Sequence, residues 1–416
     1  MRKNYLVNTN AVKRTLKLHA NTFTRFAVGM TVGENLKSAK GLKEVCSYDY
    51  PPAAKVMRVL GKVYVLMESG DLTELKLSTG KLTKIKGINT LNVTPVEVVS
   101  NGKEVAMFLS DDVSFALSKD GETAVPIDIP YGKYAISCGG RVFVADGKVL
   151  RFGGTFDFET FSFTDFYASV GVGASSGDIV GVESIGKNVY VFCEHAVYKL
   201  SPEENTMFSF EKMNLSINGI KDGSVKKVGD KIAFINGETP TLFDGNGISA
   251  VDGLINQFNF SVTNAAVSCG SEYILPININ GKSANYLYVL DTINKEQSLI
   301  KAPSNVVGDG GYIVDAVNDI IYTLSSDVKN TECEWLSLPV SFSSNVRKSL
   351  IGISLYSKSS GELKITGDFG EKTLYIAAGH NVKRVNLFST SFTFNLVLDG
   401  EAQVSDMTLK YILTEE

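Results

Sequence analysis

Val59-Leu60-Gly61-Lys62-Val63 is an apolar run that stops at a small glycine turn and then resumes, and this arrangement recurs along the chain. Six copies are found, with marker glycines at positions 61, 102, 140, 186, 229 and 270. The spacings between them are 41, 38, 46, 43 and 41 residues. Spacings of about 40–50 residues, with several short strands per unit, are typical of β-propeller blades. The repeat therefore predicts an all-β chain built on a six- or seven-bladed β-propeller.

The segments between the marker glycines are rich in hairpin turn signals. Asn-Gly and Asp-Gly pairs tolerate the positive φ that tight hairpin turns need, and they occur at 101–102, 146–147, 222–223, 236–237, 280–281 and 309–310. A further hairpin at 312–322 carries no glycine in its turn. It fits either a seventh blade or the strand pair that closes the sixth, so the repeat leaves six and seven blades open.

Three segments follow from these patterns. Residues 1–50 lack the repeat and are interpreted as an N-terminal arm that supplies a closing strand. Residues 51–330 form the predicted propeller. From about Glu332, runs such as Phe392-Thr393-Phe394-Asn395-Leu396 alternate apolar with polar residues, the period of strands with one buried face. Residues 331–416 are therefore predicted to form a small C-terminal β-sandwich.

Composition excludes several functional classes. The net charge of −4 argues against a protein that holds nucleic acid by broad charge neutralisation. No apolar core of a signal peptide follows Met1, and no run of about 18 apolar residues occurs, so we expect no membrane span and synthesis in a cytoplasm.

The search for catalytic chemistry finds no motif. The three histidines, His19, His195 and His380, lie far apart, and no phosphate loop, GxSxG elbow or HExxH pair is present. Cys193 and His195 share a strand face, but one such pair makes neither a zinc site nor a triad. We therefore expect no catalytic residues, no metal site, no cofactor and no enzymatic activity.

One aromatic-rich stretch interrupts the rhythm of the blades, from Arg151 to Tyr167. It fits either the outer strands of a blade with aromatic packing, or an exposed loop that contacts a partner, because Phe and Tyr are enriched in interface cores. The stretch 152–167 contains seven aromatic residues, more than the buried face of one blade can hold. The predicted contact surface comprises Phe156, Phe158, Phe161, Phe163, Phe166 and Tyr167, with the C-terminal sandwich as a second docking face.

The order of features after this stretch resembles virion propeller proteins of tailed bacteriophages. Gly177-Asp178-Ile179-Val180-Gly181 is followed by Gly186-Lys187-Asn188-Val189-Tyr190-Val191-Phe192 and then by Tyr198-Lys199-Leu200. The tract from Arg347 is similar to the sandwich that often follows the propeller in that family. The family includes tail-nozzle and DNA-stabilising hub proteins.

The resemblance implies a tail hub, nozzle or connector subunit that forms a ring on the tail axis for DNA retention and passage. The implied location is the virion, after assembly in the host bacterial cytoplasm. The implied partners are copies of the chain itself, other phage portal and tail proteins, and transiting double-stranded DNA through non-specific contacts.

Two alternatives come from other functional classes. A glycan-binding or glycan-cleaving propeller would serve host recognition, yet such sites usually present stacked aromatic rings, and Trp335, the single tryptophan, lies outside the repeats. A bacterial protein-interaction propeller unrelated to phage is the third interpretation.

Overall fold

The computed structural model describes residues 13–33, 35–49, 52–117, 123–163, 168–202, 208–255, 259–342 and 346–413. Within these ranges the chain is all-β apart from one helical turn near the start and a one-turn 3₁₀ helix at Ala174–Ser176. No helix in these ranges has the length and apolar character that a membrane span needs.

The N-terminal segment contributes five strands and the helical turn. These elements are β1 (Lys13–Lys17), α1 (Ala20–Phe23), β2 (Thr24–Val28), β3 (Met30–Val32), β4 (Leu36–Ser38) and β5 (Lys40–Ser47).

Seven four-stranded antiparallel blades follow in the described part of the chain, each with its first strand innermost. Blades 1 and 2 are β6 (Ala53–Val59), β7 (Lys62–Met67), β8 (Asp71–Lys76), β9 (Lys81–Gly87), and β10 (Val93–Ser100), β11 (Lys103–Ser110), β12 (Phe115–Leu117), β13 (Ala124–Pro126). Blade 3 is β14 (Tyr134–Cys138), β15 (Arg141–Asp146), β16 (Val149–Phe152) and β19 (Ala168–Gly171), with a small hairpin of β17 (Phe156–Asp157) and β18 (Ser162–Phe163) inserted before β19.

Blades 4 and 5 are β20 (Ile179–Ile185), β21 (Asn188–Cys193), β22 (Ala196–Pro202), β23 (Phe208–Lys212), and β24 (Lys226–Val228), β25 (Lys231–Asn236), β26 (Thr239–Phe243), β27 (Ile248–Ala250). Blade 6 is β29 (Val267–Cys269), β30 (Glu272–Ile279), β31 (Asn285–Asp291) and β32 (Gln297–Ala302), with β28 (Phe260–Val262) also pairing β30. Blade 7 is β33 (Val307–Gly308), β34 (Tyr312–Asp315) and β35 (Ile320–Lys329), and β5 from the N-terminal segment is its outermost strand.

The ring is closed by apolar cores between neighbouring blades. Val314 and Ile321 of blade 7 pack in one cluster with Val56 and Val63 of blade 1. Clusters of the same kind join the other neighbours around the ring. The β-propeller predicted from the repeat is confirmed, with seven blades. The seventh turn is Asp309-Gly310-Gly311, directly before the hairpin that the sequence had left unassigned.

The marker glycines share one backbone conformation. Their φ values are +78° at Gly61, +76° at 102, +74° at 140, +60° at 186, +62° at 229, +59° at 270 and +78° at Gly311. Residues with a Cβ rarely adopt φ values in this left-handed region. The requirement for a positive φ explains why glycine recurs at the turn between the first two strands of each blade.

We expect Gly229→Ala to lower the free energy of unfolding by about 1 kcal/mol, because alanine is strained at φ +62° although nothing lies within 4 Å of the added Cβ. Gly247→Ala in the same blade is the matched control, since its Cβ also meets open space and its φ lies outside the left-handed region. Urea unfolding of both variants measures the effect. Equal stabilities would show that the conformation of the turn does not select glycine.

The C-terminal strands form a β-sandwich. They are β36 (Glu332–Ser337), β37 (Lys348–Ser357), β38 (Gly361–Gly367), β39 (Gly370–Ile376), β40 (Gly379–Ser389), β41 (Phe392–Asp399) and β42 (Gln403–Leu413). One sheet has the order β2-β36-β41-β38-β39, and the other contains β42-β37-β40 with β1 on the free edge of β42. Alternate residues such as Ile365, Phe394, Leu355 and Leu409 fill the core between the sheets.

The sandwich is continuous with blade 6. The outermost strand of that blade pairs with β3, which pairs with β4, which pairs with β42. Apolar residues of blades 5 and 6 also belong to the same core cluster as those of the sandwich. From the sequence, residues 1–50 are interpreted as an arm. Of the strands in this segment, β1 to β4 lie in or beside the sandwich, and β5 lies in blade 7.

Candidate functional site

The innermost strands of the blades enclose a central channel with a cavity of about 830 Å³. Its lining includes charged residues from five blades: Lys55, Glu97, Glu183, Lys226 and Asp309. These side chains reach the axis because they lie on or directly beside the innermost strands, whose other residues pack between blades. The channel, with charged residues from several blades in its lining, is the candidate functional site.

Lys226 forms the centre of the charge network in the channel. Its Nζ lies 2.8 Å from Asp309 Oδ2, and this ion pair joins blade 5 to blade 7 beside the innermost strand of blade 6. Asp309 Oδ1 also accepts a hydrogen bond from the Ser268 backbone N–H at 3.0 Å. Burial alone would lower the pKa of Lys226, but the Asp309 and Glu183 carboxylates outweigh it and the pKa is raised. Lys226 therefore stays charged and holds the two blades together.

Glu183 is the second carboxylate beside Lys226. Its Oε1 accepts a hydrogen bond from the Lys227 backbone N–H at 3.1 Å. Burial raises the pKa of Glu183, while the positive charge of Lys226 acts in the opposite direction. The carboxyl group therefore depends on Lys226 for its charged form.

Lys55 approaches the network from blade 1. Its Nζ donates a 2.6 Å hydrogen bond to the Val93 carbonyl oxygen of blade 2. Burial, together with the nearby charge of Lys226, lowers the pKa of this amine to about 8. The amine therefore changes charge close to physiological pH, unlike an ordinary lysine.

The lowered pKa of Lys55 predicts a pH-dependent stability. Between about pH 8 and the ordinary value of 10.5, the folded chain has released a proton that the unfolded chain still binds, so stability rises with pH in this window. We expect the unfolding free energy of the wild type, relative to Lys55→Met, to increase as the pH rises through it. Urea unfolding at constant ionic strength measures this. Exposed Lys81→Met is the control, and a difference that stays flat with pH would contradict the prediction.

One end of the channel is crossed by a second set of contacts. Lys133 Nζ and the Tyr134 hydroxyl both donate to the carboxylate of Asp222. Asp222 precedes blade 5, whereas Lys133 and Tyr134 begin blade 3, so these contacts pass over the intervening blade. Burial and the Asp222 carboxylate raise the pKa of Tyr134. The contacts brace the ring and narrow the channel at this end.

The charged side chains of the channel form ion pairs and hydrogen bonds between blades. No group of three or more His, Cys, Asp or Glu side chains suited to a metal ion occurs among the described residues. Cys193 is fully buried in the core between blades 3 and 4, and burial raises the pKa of its thiol to about 12. His195 lies exposed at a turn. The two residues therefore do not form a nucleophile and base facing a common cavity.

Four of the predicted aromatic contact residues, at 156, 158, 161 and 163, lie on the inserted hairpin of blade 3. Phe156 is 3% exposed and belongs to the core between blades 2 and 3. Half-buried Phe158 and Phe161 cover it edge-on, with ring centroids 5.1 and 6.0 Å away. Phe163 lies in β18, whereas residues 166 and 167 fall outside the described ranges. The role of this stretch as a contact surface stays a prediction.

Sequence reasoning did not find the charge network in the channel. The available signal was a charged residue within an otherwise apolar first strand, as with Glu183 in Ile179–Ile185. That signal names a residue but not its partner, because Lys226 and Asp309 are 83 residues apart and meet only when the ring closes.

No protein-family model and no curated protein sequence matches the chain. Among solved structures, the chain is similar to the extracellular domain of a putative one-component system from B. thetaiotaomicron, with a TM-score of 0.47 at 11% identity over 83% of this chain and 47% of that one. It is also similar to PorZ, a surface component of the type-IX secretion system of Porphyromonas gingivalis, with a TM-score of 0.45 at 14% identity over 80% and 46%.

The WD40 domain of Pan2 from Neurospora crassa gives a TM-score of 0.45 at 9% identity, over 71% of this chain and 99% of that domain. The chain thus spans less than half the length of the two bacterial proteins that it matches. The propeller assignment rests on the sheet order and the ring of inter-blade cores. None of the roles of these proteins is transferred to the chain.

Proposed function

We propose that this chain is a structural, non-catalytic subunit of a tailed-phage virion. In this proposal it is a tail hub, nozzle or connector component that assembles with copies of itself, and with other portal or tail proteins, into a ring on the tail axis. It is made in the host bacterial cytoplasm and serves DNA retention and passage. The run at 177–200 that carries the family resemblance forms most of β20 to β22 of blade 4.

The observation that carries the proposal is the rigid union of propeller and sandwich. Domains joined by a linker usually move relative to one another. Here a continuous hydrogen-bonded sheet and one apolar core join the two parts. A subunit that must keep a fixed register with its neighbours in a particle needs this rigidity, whereas a binding module does not.

The bracing of the channel bears on how such a ring would handle DNA. The propeller channel holds a cavity of only about 830 Å³, and the Lys226–Asp309 ion pair lies along its wall, so we infer that a duplex does not pass through the propeller itself. Passage would therefore follow the axis of the assembled ring, with each propeller beside it. A mildly acidic chain would favour sliding over tight binding there.

The proposal is tested in phage particles. An antibody against the recombinant chain should detect it at fixed stoichiometry in density-banded particles. Deletion of its gene should yield particles that lose their DNA or lack a complete tail, and the wild-type gene in trans should restore them. Absence of the chain from banded particles, or normal infectivity after deletion, would overturn the proposal.

The glycan-binding alternative makes a different prediction in a glycan array. Trp335 is 1% exposed and its Nε1 donates to Thr24 Oγ1 at 2.7 Å, so its ring is not available for stacking on a sugar. We expect no glycan binding above background. Specific, saturable binding of one oligosaccharide class would favour the alternative over the structural role.

A further inference from the structure

The two outer faces of the sandwich carry opposite charge. On the sheet of β1, β42, β37 and β40, the outward side chains include Lys13, Lys17, Arg384 and Lys410. Arg384 and Lys410 flank Gly352 in one row of the sheet, so no side chain separates them. Asp406 is the one acidic residue near them in the described strands, and it pairs with Lys17 at 3.7 Å. We call this surface the basic face.

The opposite sheet presents the reverse pattern on β41, β38 and β39. Its outward side chains include exposed Glu362, Glu371 and Asp399, and in the described strands the one basic residue among them is Lys364. Lys364 is paired with Glu371 at 2.7 Å. We call this surface the acidic face.

Each face also exposes large apolar side chains. On the basic face Val382 is 77% and Phe388 55% exposed, and on the acidic face Tyr375 is 61% and Val397 45% exposed. Tyr375 and Val397 lie on either side of Glu362 in one row of the sheet. Exposed apolar side chains next to charged ones are found at protein interfaces.

We propose that the basic face of one copy of this chain docks on the acidic face of the next. The occupant is a second copy because the chain itself carries both halves of the complementary pair. This inference rests on the proposed function, which requires contacts between copies, and it identifies the surface that makes them.

The placement of the two faces determines the kind of assembly. They lie on opposite sides of one sandwich, so the contact is head-to-tail and each copy uses two different surfaces. Such an interface produces a closed ring when the rotation between copies closes, and a filament when it does not. Each face is about three to four strands wide, roughly 14 to 19 Å, which corresponds to an interface at the small end of the specific range.

Charge reversal tests the interface directly. We expect R384E/K410E and E362K/D399K each to weaken self-association by roughly 100-fold or more, because like charges then meet across the contact. The chain that carries all four changes has both faces reversed and should assemble again. An equimolar mixture of the two double variants should also assemble. Sedimentation velocity and native mass spectrometry at low salt report these states.

The matched control for R384E/K410E is K81E/K148E. It makes the same charge change at two exposed lysines on blades 1 and 3. It should assemble as the wild type does. Thermal melts of every variant show whether it folds, and the mixture identifies the interface even if the chain with all four changes is poorly stable. A wild type that stays monomeric, double variants that assemble normally, or reversed faces that fail to recombine would overturn the proposal.

The outcomes separate this inference from the proposed function. A chain that assembles through these faces but is absent from phage particles would overturn the virion role and leave the interface standing. If the chain is present in particles at fixed stoichiometry while its double variants assemble normally, the interface is overturned and the virion role stands.

Discussion

Lys226→Met is expected to lower the free energy of unfolding by about 2 to 3 kcal/mol, because removing one partner of a largely enclosed ion pair leaves the other charge uncompensated. Asp309 and Glu183 would then face each other without their shared cation. The Lys226 side chain is 24% exposed and that of Asp309 35%, so we expect a loss at or below the low end of the range for fully buried pairs. Urea unfolding near neutral pH measures it.

Two comparisons make the Lys226 prediction specific. Lys358→Met removes the surface ion pair with Glu401, which is 2.7 Å long, and should lower the free energy of unfolding by less than about 1 kcal/mol. The double variant with Lys226→Met and Asp309→Asn should lose less free energy of unfolding than the sum of the two single variants, because it leaves no unpaired charge at position 309. A Lys226→Met loss no larger than that of Lys358→Met would show that the channel pair does not brace the ring.

Gly29→Ala is expected to destabilise the chain by about 3 kcal/mol or more. Gly29 has φ +68°, and a Cβ at this position would overlap the carbonyl oxygen of Glu332. Backbone strain and overpacking against a main-chain atom each contribute about 1 to 3 kcal/mol. Gly29 connects β2 of one sandwich sheet to β3 beside blade 6, so the damage falls where the sandwich meets the propeller.

Gly33→Ala is the matched control four residues further along. Its Cβ would first meet the flexible Glu296 carboxylate at 3.4 Å, and its φ lies outside the left-handed region. Thermal and urea unfolding of the two variants should differ clearly, with Gly33→Ala close to the wild type. A Gly29→Ala chain of wild-type stability would mean that the junction tolerates a shift of β36 away from β2.

The architecture was predictable because the turn between the first two strands of each blade demands a positive φ, and glycine satisfies it at the lowest cost. Blade 7 was harder to assign because its first strand has two residues, Val307–Gly308, and its outermost strand comes from the other end of the chain. Local patterns do not reveal a pairing such as Leu42 with Leu324, which joins residues 282 positions apart.

The charge network was not predictable for a related reason. Nothing in the local sequence around Lys226 or Asp309 indicates a partner, because ring closure alone brings the two side chains together. Composition also gives no sign of the two sandwich faces, since the net charge of −4 averages over a basic and an acidic surface. The alternation of each strand gives the outward residues, but the sheet order decides which of them share a face.

The pairing of β5 with β35 has a consequence for synthesis on the ribosome. β5 ends at Ser47 and its partner begins at Ile320, while β42, the sandwich strand that pairs with both β1 and β4, ends at Leu413. At about 5 to 20 residues per second, the first strands wait roughly 15 to 75 s for their partners to be translated. During that time the nascent chain exposes unpaired strand edges, which are sites of aggregation. We therefore expect production of this chain to depend on holdase chaperones more than its final stability would indicate.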